Sequence, residues 1–296
     1  MMNHDEKEPF RQDLTRKEQY PGAVFVIHLL MKEPVTMPEK ARMTQIMEKH
    51  LGKVDCFCHD GKMAGFAPQK YKVEFKDATL PPQLMVMECI STEGMTIDEI
   101  TRSQFWDCPD GETILSECRY HVIATDLLGG AMDYRDRAEM LVDYIEALVE
   151  LYPDCEAVFF QTSGKMFARK QLLECEIPKE DRFIYYAVNV RFFNIHETED
   201  MLIDTLGMST LYLPDLQYHF HGMSPNFVVN HAYNLLNYLF ENDCPIKDGE
   251  TVDGIEEGKM SMDVRWKCRY EDSLLQPPRP VLDINMGEYA SGNRNE

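Results

Sequence analysis

Positive charge is scarce in this sequence. Its 296 residues include 30 Lys and Arg against 51 Asp and Glu, which gives a formal net charge of −21. Nucleic acids and anionic membrane surfaces attract proteins through clusters of Lys and Arg, so we expect neither as a partner. A charge of this size fits attraction of a basic protein, and it also fits solubility alone.

Long apolar segments and an export signal are lacking too. The apolar run Ala23–Met31 is too short to span a bilayer and contains His28. The nine cysteines are scattered, and the close pair Cys56 and Cys58 lacks the spacing of a zinc site or a thioredoxin-type redox motif. We therefore expect reduced, buried thiols in a cytoplasmic protein.

No catalytic motif is complete. The sequence contains no Gly-x-Ser-x-Gly elbow, no His-Glu-x-x-His pair and no dinucleotide fingerprint. Thr162–Lys165 is similar to the end of a phosphate-binding loop, but Phe159 stands where that loop needs its first glycine. This favours a binding protein over an enzyme, with no cofactor expected. The oligomeric state stays open.

Alternating strand and helix patterns predict an α+β fold, with mixed sheets, helices packed on one face, and two related α+β halves as an open alternative. Asp133 and Ser224 are helix N-caps, and Pro225 follows Ser224 at the first helical position. The predicted regions are a flexible arm over residues 1–20, an N-terminal α+β region over 21–195, a C-terminal α+β region over 196–286 and a disordered tail over 287–296.

One candidate binding site comes from a predicted long strand, Arg182–Phe193, which a predicted helix around Glu199–Leu206 follows. On the strand, Tyr185, Asn189 and Arg191 share a face. An arginine and an asparagine beside aromatic rings can bind a carboxylate or a phosphate. The alternative is an ion pair between Arg191 and one of the many acidic side chains.

A second candidate site lies on the predicted strand that begins at Asp215, where Asp215, His219 and His221 point to the same side. Two histidines at i and i+2 can share a metal ion, with the aspartate as a third ligand. This arrangement would suit a metal-dependent hydrolase or a small-molecule-binding enzyme that holds its substrate with Asn189 and Arg191. The other interpretation is a polar strand face turned towards solvent.

The segment 241–258 carries seven acidic residues and one lysine. It is interpreted either as an acidic patch for a basic protein or as a solvated loop. Together with the net charge, the patch favours a binding protein that neutralises a basic partner, in the way that an immunity protein covers a nuclease-type toxin.

Several short motifs in a fixed order resemble one family. They are Ala187–Asn194, Asp204–Gly207, Leu213–Phe220, Ile246–Gly249 and Pro277–Asp283. Together they resemble the uncharacterised, mainly bacterial family called domain of unknown function 4261, best over residues 185–286 and more loosely upstream. The resemblance implies a cytoplasmic bacterial protein. It implies no catalytic residue.

Overall fold

The computed structural model describes residues 25–292, so the predicted arm over residues 1–20 and the last four residues lie outside the described part. The chain divides after residue 187 into an N-terminal unit and a C-terminal unit. Helices and sheets occur in both, which confirms the α+β fold. The division lies eight residues before the predicted boundary at 195, because the strand that follows it pairs within the C-terminal unit.

The N-terminal unit is built on a seven-stranded antiparallel sheet with a separate two-stranded ribbon. Its strands are β1 (Val26–Met31), β2 (Val54–His59), β3 (Met63–Pro68), β4 (Val73–Glu74), β5 (Thr79–Leu80), β6 (Gln83–Ser91), β7 (Tyr120–Leu127), β8 (Ala157–Phe160) and β9 (Lys165–Ala168). The order in the large sheet is β2-β3-β6-β7-β1-β8-β9, and β4 pairs with β5. The strand β1 therefore lies near the middle, between β7 and β8.

Within the described residues, six α-helices accompany this sheet. They are α1 (Lys40–Leu51), α2 (Glu99–Ser103), α3 (Gly111–Glu117), α4 (Tyr134–Leu151), α5 (Arg169–Leu173) and α6 (Arg182–Ala187). As predicted, Asp133 caps α4 by accepting hydrogen bonds from the backbone N–H groups of Arg135 and Asp136. The helix α4 packs against α1 and forms much of the core.

The C-terminal unit contains a six-stranded mixed sheet and one long helix. Its elements are β10 (Asn189–Asn194), β11 (Met201–Leu206), β12 (Asp215–Phe220), α7 (Pro225–Glu241), β13 (Thr251–Glu256), β14 (Lys259–Asp272) and β15 (Pro280–Asn285). The order is β10-β11-β12-β15-β14-β13, in which only the β12–β15 pair is parallel. The helix α7 contacts β10, β11 and β12.

Two predicted elements are wrong. The predicted strand Arg182–Phe193 is helix α6 followed by β10, so Tyr185 does not share a strand with Asn189 and Arg191. The predicted helix around Glu199–Leu206 is strand β11, whose last five residues are buried. Both segments contain short apolar runs, and over so few residues the periodicity of a helix and that of a buried strand are hard to separate.

The described part of the predicted disordered tail has a regular structure. Residues Gly287–Tyr289 form a turn of 3₁₀-helix, Ala290 bridges Phe220, and Ser291 is buried. Backbone hydrogen bonds join His221 N–H to the Tyr289 carbonyl and Ser291 N–H to the His219 carbonyl. This segment therefore extends the sheet beside the end of β12, unlike the prediction.

Each helix within residues 25–292 is too short or too polar to cross a bilayer.

Candidate functional site

The predicted residues Asn189 and Arg191 are both buried on β10. The Arg191 guanidinium donates to both carboxylate oxygens of Asp204, its cross-strand neighbour on β11, at 2.8 and 2.6 Å. It also donates to the carbonyl of Gln276 at 3.0 Å. Such a bidentate pair occupies the two N–H groups of one guanidinium edge that could otherwise bind a ligand carboxylate. Arg191 thus follows the second interpretation, an internal ion pair.

The predicted residue Asp215 belongs to the same charged network. Its carboxylate accepts hydrogen bonds from Thr205 Oγ1 at 3.0 Å, from the backbone N–H of Met208 at 3.2 Å and from Arg279 Nε at 3.1 Å. Burial raises the pKa of Asp215, and the positive charge of Arg279 opposes that shift. These three hydrogen bonds hold the Asp215 carboxylate inside the buried network.

Arg279 joins the two ion pairs into one network. Besides Asp215, it donates from Nη2 to Asp204 Oδ2 at 2.5 Å and to the Thr205 carbonyl at 2.7 Å. Two guanidinium groups and two carboxylates are thereby buried together, and none is more than 7% exposed. The sequence did not single out Asp204 or Arg279 as site residues, although both lie within the motifs of the resemblance.

The predicted histidines lie near a different aspartate. His219 Nε2 is 3.5 Å from a carboxylate oxygen of Asp200. His221, one residue beyond β12, has its Nδ1 3.0 Å from Ser291 Oγ, and that hydroxyl donates to Asp200 Oδ1 at 2.8 Å. The polar cluster attaches the residues after β15 to the sheet. Asp200 and Ser291 were not predicted, because neither is close to the histidines in sequence.

The structure does not bring Asp215, His219 and His221 together as a ligand set. Between residues 25 and 292, no three His, Cys, Asp or Glu side chains lie close enough to hold one metal ion. Asp215 and His219 are four residues apart on one strand, a separation of about 13 Å along the chain. Although Asp215 and His219 point to the same side of β12, they are therefore too far apart to bind one metal ion.

A groove of about 340 Å³ lies between helix α7 and the β13–β14 hairpin. Its lining residues are His231, Asn234, Leu235, Tyr238, Pro245, Ile246, Glu250, Thr251, Val252, Asp253, Met260 and Arg265. The aliphatic side chains of Leu235, Ile246 and Val252 are buried and form its apolar part. Met260 and Tyr238 are about half exposed at its edge. The combination is an apolar base with a polar rim, which is typical of ligand sites.

The sequence of α7 determines which of its residues face the groove. Ser224 and Pro225 begin the helix as predicted, and the buried stripe includes Val228, Ala232 and Leu239. Asn234 and Tyr238, one helical turn apart, remain exposed beside that stripe. Beyond the groove, Gly258 at the hairpin turn packs under the Phe227 ring, and a Cβ atom added there would lie only 2.6 Å from that ring.

Buried His231 joins the helix to the hairpin at the base of the groove. Its Nε2 lies 2.8 Å from the Asp253 carbonyl and must donate, because a carbonyl oxygen only accepts. Its Nδ1 therefore accepts from the Tyr218 hydroxyl at 2.9 Å when the ring is neutral. Burial lowers the pKa of His231, which favours the neutral form. The ring acts as a fixed support for the groove.

Two carboxylates border the groove. Glu250 is exposed and accepts a hydrogen bond from the Lys247 backbone N–H at 2.7 Å. Asp253 is ion-paired with Arg265 across the hairpin. Within the acidic segment 241–258, Asp253 and Glu256 both lie opposite basic residues of β14, Arg265 and Lys259. Part of the segment is thus charge-compensated, and Glu250 lies outside those pairs.

The C-terminal unit is an α+β domain with a helix-flanked mixed sheet, a buried charge network and an adjacent groove. Residues 204–285 match the model of the family described as domain of unknown function (DUF4261). The match confirms the resemblance over this part of the chain and runs from Asp204 to Asn285. It includes the whole groove and the residues Asp215 and Arg279, but not Asn189 or Arg191. The family description names no activity.

No curated protein matches the chain, and neither does any solved structure.

Proposed function

We propose that this protein binds a basic segment of a partner protein in the groove between α7 and the β13–β14 hairpin. The observation that carries the proposal is the pairing of an apolar base with the exposed carboxylate of Glu250. Lys and Arg side chains combine a long apolar stem with a cationic head, so they match both parts of such a groove.

The rim offers further contacts to a cation. Tyr238 is 47% exposed, and an aromatic face of this kind attracts a guanidinium or an ammonium group. Met260 is flexible and polarisable, so it can adapt to side chains of different shape. The groove is therefore suited to a segment in which Arg or Lys alternates with apolar residues.

The charge of the whole chain supports the same partner. A formal net charge of −21 produces a field that speeds the approach of a basic protein and penalises acidic competitors. Covering the cationic surface of a basic effector would neutralise it, which is the role that we propose for the complex. The association rate should then fall steeply as salt is added.

A matched pair of peptides tests the proposal. One carries arginines separated by leucines, and the other replaces each arginine with citrulline, which has nearly the same shape but no charge. We expect the arginine peptide to shift the NMR signals of α7 and β13, with affinity at least about tenfold above that of the citrulline peptide, a difference of about 1.4 kcal/mol. Equal affinity of the two peptides would overturn the proposal.

Two variants localise the binding. Glu250→Gln should weaken binding of the arginine peptide about three- to tenfold, because it removes the exposed carboxylate at the rim. Glu74→Gln makes the same change of charge on an exposed residue of the N-terminal unit and should leave the affinity unchanged. If both variants weaken binding equally, the peptide responds to net charge and the groove is not its site.

A further inference from the structure

Two imidazoles meet near the middle of the N-terminal sheet. His28 on β1 and His121 on β7 lie on neighbouring strands, and their Nδ1 atoms are 3.0 Å apart. The ring planes differ by only 23° and the centroids are 4.9 Å apart, so the two rings are stacked beside each other. Both side chains are buried. The contact has the geometry of a hydrogen bond between rings.

The contact fixes the protons of both rings. His28 Nε2 lies 2.8 Å from the Gln161 side-chain oxygen, which only accepts, so this nitrogen carries a hydrogen. In a neutral His28 ring, Nδ1 is then the acceptor, and His121 donates from its own Nδ1. The hydrogen bond tolerates one extra proton on the pair. A second extra proton would place the two Nδ1–H groups against each other and bring two positively charged rings into contact, which is unfavourable.

The neighbours supply no compensating charge. Phe159 on β8 packs against His28 with ring centroids 6.0 Å apart, and Ile90 on β6 is the cross-strand neighbour of His121. Burial lowers the pKa of His28, and the hydrogen bond to Gln161 opposes the shift. Burial, reinforced by the charge of His28, lowers the pKa of His121 to about 4. In the described chain, no carboxylate is among the groups that act on either ring.

We propose that the His28–His121 pair is an acid-sensitive switch, which joins β1 to β7 while it holds at most one extra proton and releases them when both rings are protonated. The direction of the pH effect on stability follows from the number of protons that the two rings bind in the unfolded and in the folded chain. In the unfolded chain both rings titrate near pH 6.5 and take up two protons, whereas the folded pair holds one at most. The stability that the pair contributes to the N-terminal unit is therefore present above about pH 6.5 and is lost progressively as the pH falls below that value.

Hydrogen exchange on the full chain tests the switch. Protection factors for the amides of β1 and β7, corrected for the intrinsic effect of pH, should fall about tenfold or more for each unit below about pH 6. The double variant His28→Phe/His121→Leu replaces both polar partners with apolar groups and should remove most of this pH dependence. His196→Asn alters an exposed imidazole and should keep the wild-type profile.

Two outcomes would overturn the switch. One is a double variant that loses protection in β1 and β7 over the same pH range as the wild type. The other needs no variant and holds even if the double variant fails to fold. If NMR titration of the folded wild type shows both rings titrating near pH 6.5, the rings accept two protons without opening, and the switch does not exist.

Discussion

The two units bury ionic charge in different ways. In the N-terminal unit, Arg137 on α4 makes a bidentate pair with Asp126 on β7, with both contacts at 2.9 Å. In the C-terminal unit, Arg279 instead bridges Asp204 and Asp215. The first pair attaches one helix to one strand, while the second arrangement attaches two strands and the segment before β15. The comparison suggests that the loss of one arginine costs more where two carboxylates share it.

Replacement of Arg279 should produce the largest effect. Arg279→Met removes the cation that pairs with buried Asp215 and leaves buried Asp204 with Arg191, and we expect a loss of about 4 kcal/mol or more in the unfolding free energy of the C-terminal unit. Arg137→Met leaves the buried Asp126 carboxylate without its arginine partner and should lower the unfolding free energy of the N-terminal unit by about 3 kcal/mol. Denaturant unfolding measures both.

The two tryptophans make these measurements specific, because Trp106 lies in the N-terminal unit and Trp266 in the C-terminal unit. Trp106 is exposed, so a Trp106→Phe background leaves Trp266 fluorescence as the signal of the C-terminal unit. A smaller loss for Arg279→Met than for Arg137→Met would show that a shared arginine does not contribute more than one that pairs with a single carboxylate.

Substitution of Gly129 should have an intermediate effect on stability, because this glycine lies beside the Asp126–Arg137 ion pair. A Cβ atom at Gly129 would stand 1.9 Å from Asp126 Oδ2, so Gly129→Ala must push this carboxylate away from Arg137. We expect a loss of about 2 kcal/mol, measured as a lower urea midpoint for the N-terminal unit. Gly94→Ala, where a Cβ atom meets nothing within 4 Å, is the control. Equal effects of the two substitutions would contradict the steric argument.

The smallest effect should follow loss of an exposed pair. Arg265 and Asp253 are 52% and 33% exposed, and Arg265→Met should change the stability of the C-terminal unit by less than about 1 kcal/mol. The same Trp266 unfolding experiment measures it. A loss comparable to that of Arg279→Met would show that burial is not what separates the strong pairs from the weak one.

Local signals were enough to predict where the two longest helices begin. Asp133 and Ser224 begin α4 and α7 as predicted, and Asp215 begins β12. The failure at Arg182–Phe193 has a physical cause. In this run Phe183, Ile184 and Ala187 are buried, and these positions suit one face of a helix as well as a buried strand. Tertiary packing, which a single sequence does not display, decides between the two.

The candidate sites were less accessible from the sequence than the fold. Sequence reasoning identified Arg191 and Asp215 as important polar residues but could not connect them, because the connection runs through Asp204, which pairs with Arg191, and Arg279, which pairs with both aspartates. Arg279 is 64 residues from Asp215, and only the sheet order brings them together. The sequence likewise did not predict the groove, although the two carboxylates at its border belong to the acidic segment 241–258.

The position of β15 has a consequence for how the C-terminal unit can be assembled. This strand is among the last described segments in the chain, yet it lies between β12 and β14 near the centre of the sheet. Before β15 is in place, β12 has an unpaired edge and the β13–β14 hairpin has no strand that connects it to the rest of the sheet. A chain still emerging from a ribosome therefore cannot complete this sheet before residues 280–285 are free, and fragments that stop earlier expose an unpaired strand edge to aggregation.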